Sequence, residues 1–171
     1  MKRLVTLGVA AVMVAIGAGS AVAAGGPPVI ETVPADFVLA SGTCPNLPAG
    51  TTITGTGSGK SITRVSVDEN GLVTIANTTH SKGTATDQLG NSYVFNYSNE
   101  FRVTNSAADP GVFSGRMNDS FTLAGSGPSH LSNGFQAVFT TDFATLFSFE
   151  ELNSRGDPLD FATGAARCDP L

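Results

Sequence analysis

The glycine-rich segment 55–61, GTGSGKS, is the part of the chain that most resembles a binding motif. Its end, Gly59-Lys60-Ser61, matches the end of a phosphate-binding loop, in which backbone N–H groups hold phosphates and the lysine meets the β- and γ-oxygens. That motif needs another glycine at position 54, where Thr54 stands, and it must open a helix. Residues 62–67 instead alternate between apolar and polar side chains, as in a strand. We therefore expect a glycine-rich hairpin here and no nucleotide site.

Few residues are suited to acid–base or nucleophilic catalysis. No serine stands in a G-x-S-x-G elbow, and the two imidazoles, His80 and His130, lie in polar segments. Glu150 and Glu151 are consecutive on a predicted strand, so their side chains would point to opposite faces. No cofactor is expected, and no set of residues has the spacing of a metal site. The sequence favours a protein without catalytic residues.

Glu100, Arg102 and Arg116 form a charged group that admits two interpretations. They lie on neighbouring predicted strands among aromatic residues, so they could line the interior of a barrel and contact a ligand there. Alternatively, they face solvent, in which case Phe101 and Val103 point inward. The second interpretation is favoured, because charged side chains are rarely buried without a partner.

Aromatic residues recur in phase on several successive predicted strands. They could be a packed core or the lining of an apolar lumen, since an eight-stranded barrel can hold one small ligand. The core is the favoured interpretation. The residues that would line the lumen are Phe95, Phe113, Met117, Phe121, Phe135 and Phe139.

Composition excludes several classes of protein. Gly, Thr and Ser make up about a third of the 171 residues, and only 13% are charged, where roughly 25% is usual. So few charged side chains argue against a helical bundle. The formal charge of −5 argues against nucleic-acid binding by bulk electrostatics.

Residues 1–23 are typical of a secretory signal peptide. Lys2 and Arg3 precede an uncharged apolar run, which ends in small residues that allow cleavage after Ala23 or Ala24. A retained membrane anchor is the less favoured alternative, because no positive cluster follows the run. Without Lys2 and Arg3, seven basic residues face 14 acidic ones. We expect a secreted or cell-envelope protein with no membrane span after cleavage.

Export changes the interpretation of the two cysteines. In an oxidising compartment Cys44 and Cys168, near the two ends of the mature chain, most simply form one disulfide. The chain-entropy estimate for such a long loop is about 4–5 kcal/mol. A reactive thiol or a pair of metal-bound thiolates is the alternative, and neither has a supporting residue nearby.

The sequence of the mature chain predicts a succession of strands. Residues 24–35 are a Pro- and Gly-rich leader, and 36–171 are expected to form one domain. Asp68-Glu69-Asn70-Gly71 predicts a hairpin turn between strands 62–68 and 72–79, and residues 88–91 predict a second turn. Further strands are expected at 83–87, 92–97, 101–103, 112–124, 135–139 and 145–152, with a final one at 160–168. Eight to ten strands at this spacing predict an antiparallel meander closed as a small β-barrel, with a β-sandwich as the alternative.

The two ends of the mature chain carry a resemblance. Asp36-Phe37-Val38-Leu39, Cys44-Pro45 and the tail 164–171, GAARCDPL, resemble the corresponding pieces of uncharacterised secreted proteins from actinobacteria. That group is similar to the small barrels of the allene oxide cyclase and dirigent kind, and more loosely to the lipocalins. The resemblance implies export, a disulfide and a barrel, and it carries no catalytic residue onto this chain.

These inferences lead to a secreted, monomeric β-barrel protein, which is expected to hold a small apolar ligand in its interior. A cyclase- or isomerase-type enzyme with a pocket in the lumen is one alternative, and it requires a buried ionisable group on the inner face. A structural or adhesive protein of the cell envelope is the other, and it requires an exposed aromatic patch.

Overall fold

The chain folds into one antiparallel β-sheet. The computed structural model describes residues 25–42, 44 and 47–155, and this part of the chain contains no helix. Its eight strands are β1 Val29–Pro34, β2 Phe37–Ala40, β3 Thr52–Val67, β4 Val73–Asp87, β5 Ser92–Asn105, β6 Phe113–Gly125, β7 Leu131–Thr141 and β8 Leu146–Arg155. The predicted all-β antiparallel fold is confirmed.

The strand order is that of a meander with one departure. The hydrogen-bonded order is β1-β3-β4-β5-β6-β7-β8, and β2 pairs with the part of β3 that β1 leaves free. Val29–Pro34 lies in the predicted leader, yet it pairs with β3 over six positions. Within the described residues, hydrogen bonds do not join β1 or β2 to β8, so the ladder stays open.

Two hairpin turns use the same local chemistry. Asp68 Oδ1 accepts hydrogen bonds from the N–H groups of Asn70 and Leu72, both at 2.9 Å. Asp87 Oδ1 accepts in the same way from Leu89 and Asn91, again at 2.9 Å. An aspartate that bonds to the backbone two residues on fixes such a turn, and Gly71 and Gly90 supply positive φ angles of 79° and 83°. Both predicted turns are confirmed.

The strands are longer than their hydrophobic patterns indicate. β4 joins two predicted strands without interruption, and so does β5. The pattern breaks because polar side chains occupy inward positions in the middle of both strands. The sequence predicts a hairpin at 55–61. This prediction is wrong, because the segment lies in the middle of β3. The predicted last strand, 160–168, lies outside the described residues.

Aromatic contacts show that the sheet curls strongly. Phe37 on β2 lies edge-on to Phe95 on β5 and to Phe121 on β6, with ring centroids 4.9 Å and 5.4 Å apart. In a flat sheet β2 and β6 would be about 19 Å apart, four strand spacings. The sheet therefore bends until its two flanks face each other across the inner side.

The inner face carries two apolar clusters. The first cluster lies at the end of the sheet that holds the β4–β5 turn, and it consists of Cys44, Leu47, Ile53, Ala85, Tyr93, Phe95, Leu123 and Leu131, with Ala35, Phe37, Leu39 and Phe121 against it. The second cluster consists of Val103, Met117, Phe135, Ala137 and Phe139, with Ile75, Phe101, Phe113 and Phe149 against it. Polar residues occupy the inner face between them.

Candidate functional site

The six apolar residues expected to line a lumen fall into both clusters. Phe95 and Phe121 belong to the first, where their rings stack at a centroid distance of 6.2 Å. The other four belong to the second cluster, where Phe135 lies edge-on to Phe149 at 5.9 Å. All six side chains are buried or half-buried. Their mutual contacts are those of a packed core, the favoured interpretation of the sequence.

Glycines on β3 and β4 make room for the rings of the first cluster. A Cβ atom at Gly57 would lie 2.7 Å from Phe95 Cζ, and one at Gly83 would lie 2.6 Å from Phe95 Cε1. A Cβ at Gly55 would collide with the ring of Phe37. These glycines therefore let aromatic rings lie directly on the backbone, which is a known use of glycine in strands.

The interpretation of Glu100, Arg102 and Arg116 as interior residues is wrong. All three are exposed, and their neighbours Phe101 and Val103 belong to the second cluster on the inner face. Arg102 and Arg116 are direct register partners on β5 and β6. The alternation of the strands places them on the outer face, so these three residues cannot contact a ligand inside the sheet.

A different ionisable pair occupies the inner face. Tyr97 Oη donates a hydrogen bond to Asp119 Oδ2 at 2.7 Å, and Asn99 Nδ2 donates to the same oxygen at 2.9 Å. Burial raises the pKa of the Asp119 carboxyl above its ordinary value. Burial, followed by the charge of Asp119, raises the pKa of the Tyr97 hydroxyl as well. The pair can hold a proton between its oxygens.

A second polar network occupies the inner face of β3 and β4. Asn77 Nδ2 donates hydrogen bonds to Ser61 Oγ at 2.8 Å and to Thr63 Oγ1 at 2.9 Å. Thr79 Oγ1 donates to Asn77 Oδ1 at 3.1 Å. Since these buried groups satisfy one another, the network explains how polar residues occupy the interior. Its members carry no charge.

Sequence reasoning missed Asp119 and Tyr97 as a pair. Their positions could have revealed them. Both stand at odd positions of their strands, as do the buried residues Phe95, Met117 and Leu123, so all five side chains point to the same face. An acidic residue in phase with a core needs a hydrogen-bond donor on a neighbouring strand.

The other residues with catalytic chemistry are dispersed. His80 is exposed on β4, and His130 is exposed in the loop before β7. Glu150 and Glu151 pair with Val138 and Ala137, so they point to opposite faces as predicted. Within the described part of the chain, no three His, Cys, Asp or Glu side chains come together in a way that could hold a metal ion.

The outer face of the sheet carries a groove. Its volume is about 570 Å³, and it lies across β1, β3, β4, β5 and β6. Lys60 on β3 is the register partner of His80 on β4, and Lys82 lies two residues further along β4. The other outer-face residues of the lining are Thr32, Ser58, Asn96, Ser98, Ser120 and Thr122. Gly59, Ser81 and Tyr97 also border the groove, although their strand positions face inward. The lining thus combines positive charge with hydroxyl and amide groups, and it includes no carboxylate.

Cys44 is completely buried in the first cluster. Its predicted partner, Cys168, lies outside the described residues, so the disulfide stays a prediction. The predicted signal peptide, 1–23, also lies outside them. No helix among the residues described is long and apolar enough to cross a membrane.

Comparison of the chain with protein-family models, with curated proteins and with solved structures gives no match. The functional interpretation therefore depends on the geometry of the chain itself.

Proposed function

We propose that this protein is an exported, non-enzymatic binding module, which takes an anionic, hydroxyl-bearing ligand in the groove on its outer face. The observation that carries this proposal is the position of Lys60, His80 and Lys82 on adjacent strands among hydroxyl side chains. Cations surrounded by hydrogen-bonding groups attract and orient a carboxylated or phosphorylated ligand. The groove volume of about 570 Å³ is in the range of small-molecule sites.

Export, barrel closure and the disulfide belong to the same proposal. The charged start, apolar run and small residues of segment 1–23 support export. The contact between Phe37 and Phe121 supports closure, because it already brings β2 and β6 together across the inner face. The burial of Cys44 supports a disulfide, since a cysteine in an apolar cluster is protected from reduction.

An apolar ligand in the interior is a competing proposal. The six residues that would hold it, five phenylalanines and Met117, belong to the two packed apolar clusters. The ring contacts at 4.9–6.2 Å therefore favour the groove over the interior. A fluorescent dye that binds apolar cavities, with native mass spectrometry of the purified protein, tests the interior directly.

A catalytic role is supported by one observation, the half-buried Asp119–Tyr97 pair on the inner face. A cyclase or isomerase of the expected kind needs an ionisable group on the inner face, and Asp119 supplies one with a raised pKa. Turnover of a reactive substrate would then be lost in D119N and kept in K60A.

The groove is tested by NMR titration of the mature protein with digalacturonate and with the uncharged sugar maltose. We expect digalacturonate to shift amide signals on β3, β4 and β5 beside Lys60 and Lys82, and maltose to shift none. The double variant K60A/K82A should lose these shifts, and R155A, which removes a positive charge from β8, should keep them. Absence of shifts with digalacturonate, or shifts confined to the inner face, would contradict the proposal.

A further inference from the structure

The basic residues of the described chain all lie on one face of the sheet. Their register partners show that they occupy the strand positions that alternate with those of the two apolar clusters. Their side chains therefore point to the outer face of the sheet. Lys60 and Arg64 lie on β3, Lys82 on β4, Arg102 on β5, Arg116 on β6 and Arg155 on β8. This outer face is therefore positive, although the whole chain carries a charge of −5.

Acidic residues are concentrated elsewhere. Among the acidic residues of the eight strands, only Glu100 and Glu150 occupy outer-face positions. Asp87 and Asp119 face inward, and Asp68, Glu69, Asp109 and Asp142 lie in turns. The fold thus separates the basic residues from most of the acidic ones. The net charge of the sequence does not reveal this separation.

Positive charges on this face are held side by side. Arg102 and Arg116 are directly opposite each other on adjacent strands, an arrangement that destabilises a sheet when the charges are alike. Within the described residues, neither arginine forms an ion pair with a carboxylate. A negatively charged partner would relieve this repulsion.

The positive face extends well beyond the groove. Arg64, Arg102 and Arg116 belong to one cross-strand row, in which Ala76 separates Arg64 from Arg102. We call these three residues the arginine row. Lys60 and Arg64 are four positions apart on β3, which is about 13 Å in an extended strand. A chain of linked anionic units can contact both.

We infer that the outer face binds an acidic polysaccharide, which runs from the groove to the arginine row. This inference rests on the proposed function of the groove and extends it to a polymer. Ser58, Asn96, Ser98 and Thr122 beside the groove can exchange hydrogen bonds with sugar hydroxyls. The lysines and arginines attract the carboxylates along the polymer.

A nucleic acid is the other polyanion to consider. Proteins that bind single-stranded nucleic acid stack bases on aromatic side chains. No aromatic residue occupies an outer-face position of β3, β4, β5 or β6, so the face lacks such a platform. The many hydroxyl groups favour the polysaccharide.

The test measures the affinity of the mature protein for oligogalacturonates of two to twelve units, together with duplex DNA of similar total charge. We expect affinity to rise with length and to fall with added salt. R102A and R116A should each weaken binding of the dodecamer by about 1.4- to fivefold, the range of an exposed ion pair, and leave binding of the dimer unchanged. R155A, a control with the same change of charge, should have a smaller effect on the dodecamer.

The outcomes separate the two proposals. If dimer and dodecamer bind equally and R102A has no effect, the polysaccharide inference is overturned and the groove remains. If neither binds, the proposed function fails as well. Tighter binding of the DNA than of the dodecamer would assign the face to nucleic acid and would overturn the inference.

Discussion

Tyr97 and Asp119 join β5 to β6 on the inner face through a hydrogen bond of 2.7 Å between the phenol oxygen and one carboxylate oxygen. They are not directly opposite in the register, because Tyr97 pairs with Phe121 and Asp119 with Asn99. The bond therefore runs diagonally across the two strands, and Asn99 completes it from beside Tyr97 on β5. The Asp119 carboxyl thus links β5 to β6 in the polar part of the inner face, between the two apolar clusters.

The first prediction concerns the pH dependence that Asp119 imposes. Its folded-state pKa lies above the ordinary value of 3.8, so the folded protein binds more protons than the unfolded one between these two values. The free energy of unfolding should therefore fall as the pH rises from about 4 through the folded-state pKa, and then stay constant. Urea unfolding of wild type and D119N from pH 4 to 7 measures this, and D119N should lack the fall. Parallel curves would contradict the assignment.

The second prediction concerns the donor to that carboxyl. Y97F removes the hydroxyl but keeps the ring, so it should lower the free energy of unfolding at pH 7 by about 1.5–3 kcal/mol, the range for a hydrogen bond to a charged group. S98A, which changes the adjacent outer-face residue, is the control and should have little effect. Equal stability of Y97F and wild type would show that the bond contributes nothing.

The third prediction concerns Asp87, whose pH dependence has the opposite sign. Hydrogen bonds, chiefly from the Asn91 side chain, lower the pKa of Asp87 below its ordinary value. Its contribution to stability should be complete above pH about 4 and should be lost as the pH falls through the lowered value. D87N should therefore be less stable than wild type at pH 7, and the difference should vanish in acid. A difference that grows in acid would be contrary to this sign.

The fourth prediction concerns the glycines beneath Phe95. G57A and G83A would each place a methyl group against the ring and against backbone atoms of the neighbouring strand. We expect a loss of about 1–3 kcal/mol for each, as in other overpacked cores. G111A is the matched control, because a Cβ there meets only Asp109 Oδ1 at 3.5 Å. Thermal unfolding of the three variants separates the destabilisation caused by overpacking from the effect of a glycine-to-alanine change at an uncrowded position.

The fifth prediction concerns the tail 156–171, which lies outside the described residues. β8 ends at Arg155 opposite Gly134, close to Leu131 of the first cluster, where Cys44 also lies.

We expect the disulfide to form. The intact mass of the oxidised protein should then lack two hydrogens relative to the reduced form. Equal masses before and after reduction would contradict the pairing.

Sequence patterns predicted the fold well where one rule decided the outcome. The turn residues at 68–71 and 88–91 predicted two turns, and apolar alternation predicted most of the strands. The middle of β4 and β5 was harder, because the inward polar residues Ser81 and Asn99 interrupt the apolar alternation there. The outer-face charges were harder still, since net charge contains no information about which face carries it.

The glycines at 55, 57 and 83 also have a geometric consequence. They leave a strip of sheet that bears no side chain on the inner side, and two aromatic rings lie in it. The rings of Phe37 and Phe95 therefore span the distance from β2 to β5 across the inner side. Their contact limits how closely these two strands approach, so a smaller side chain at position 95 should leave a cavity between them.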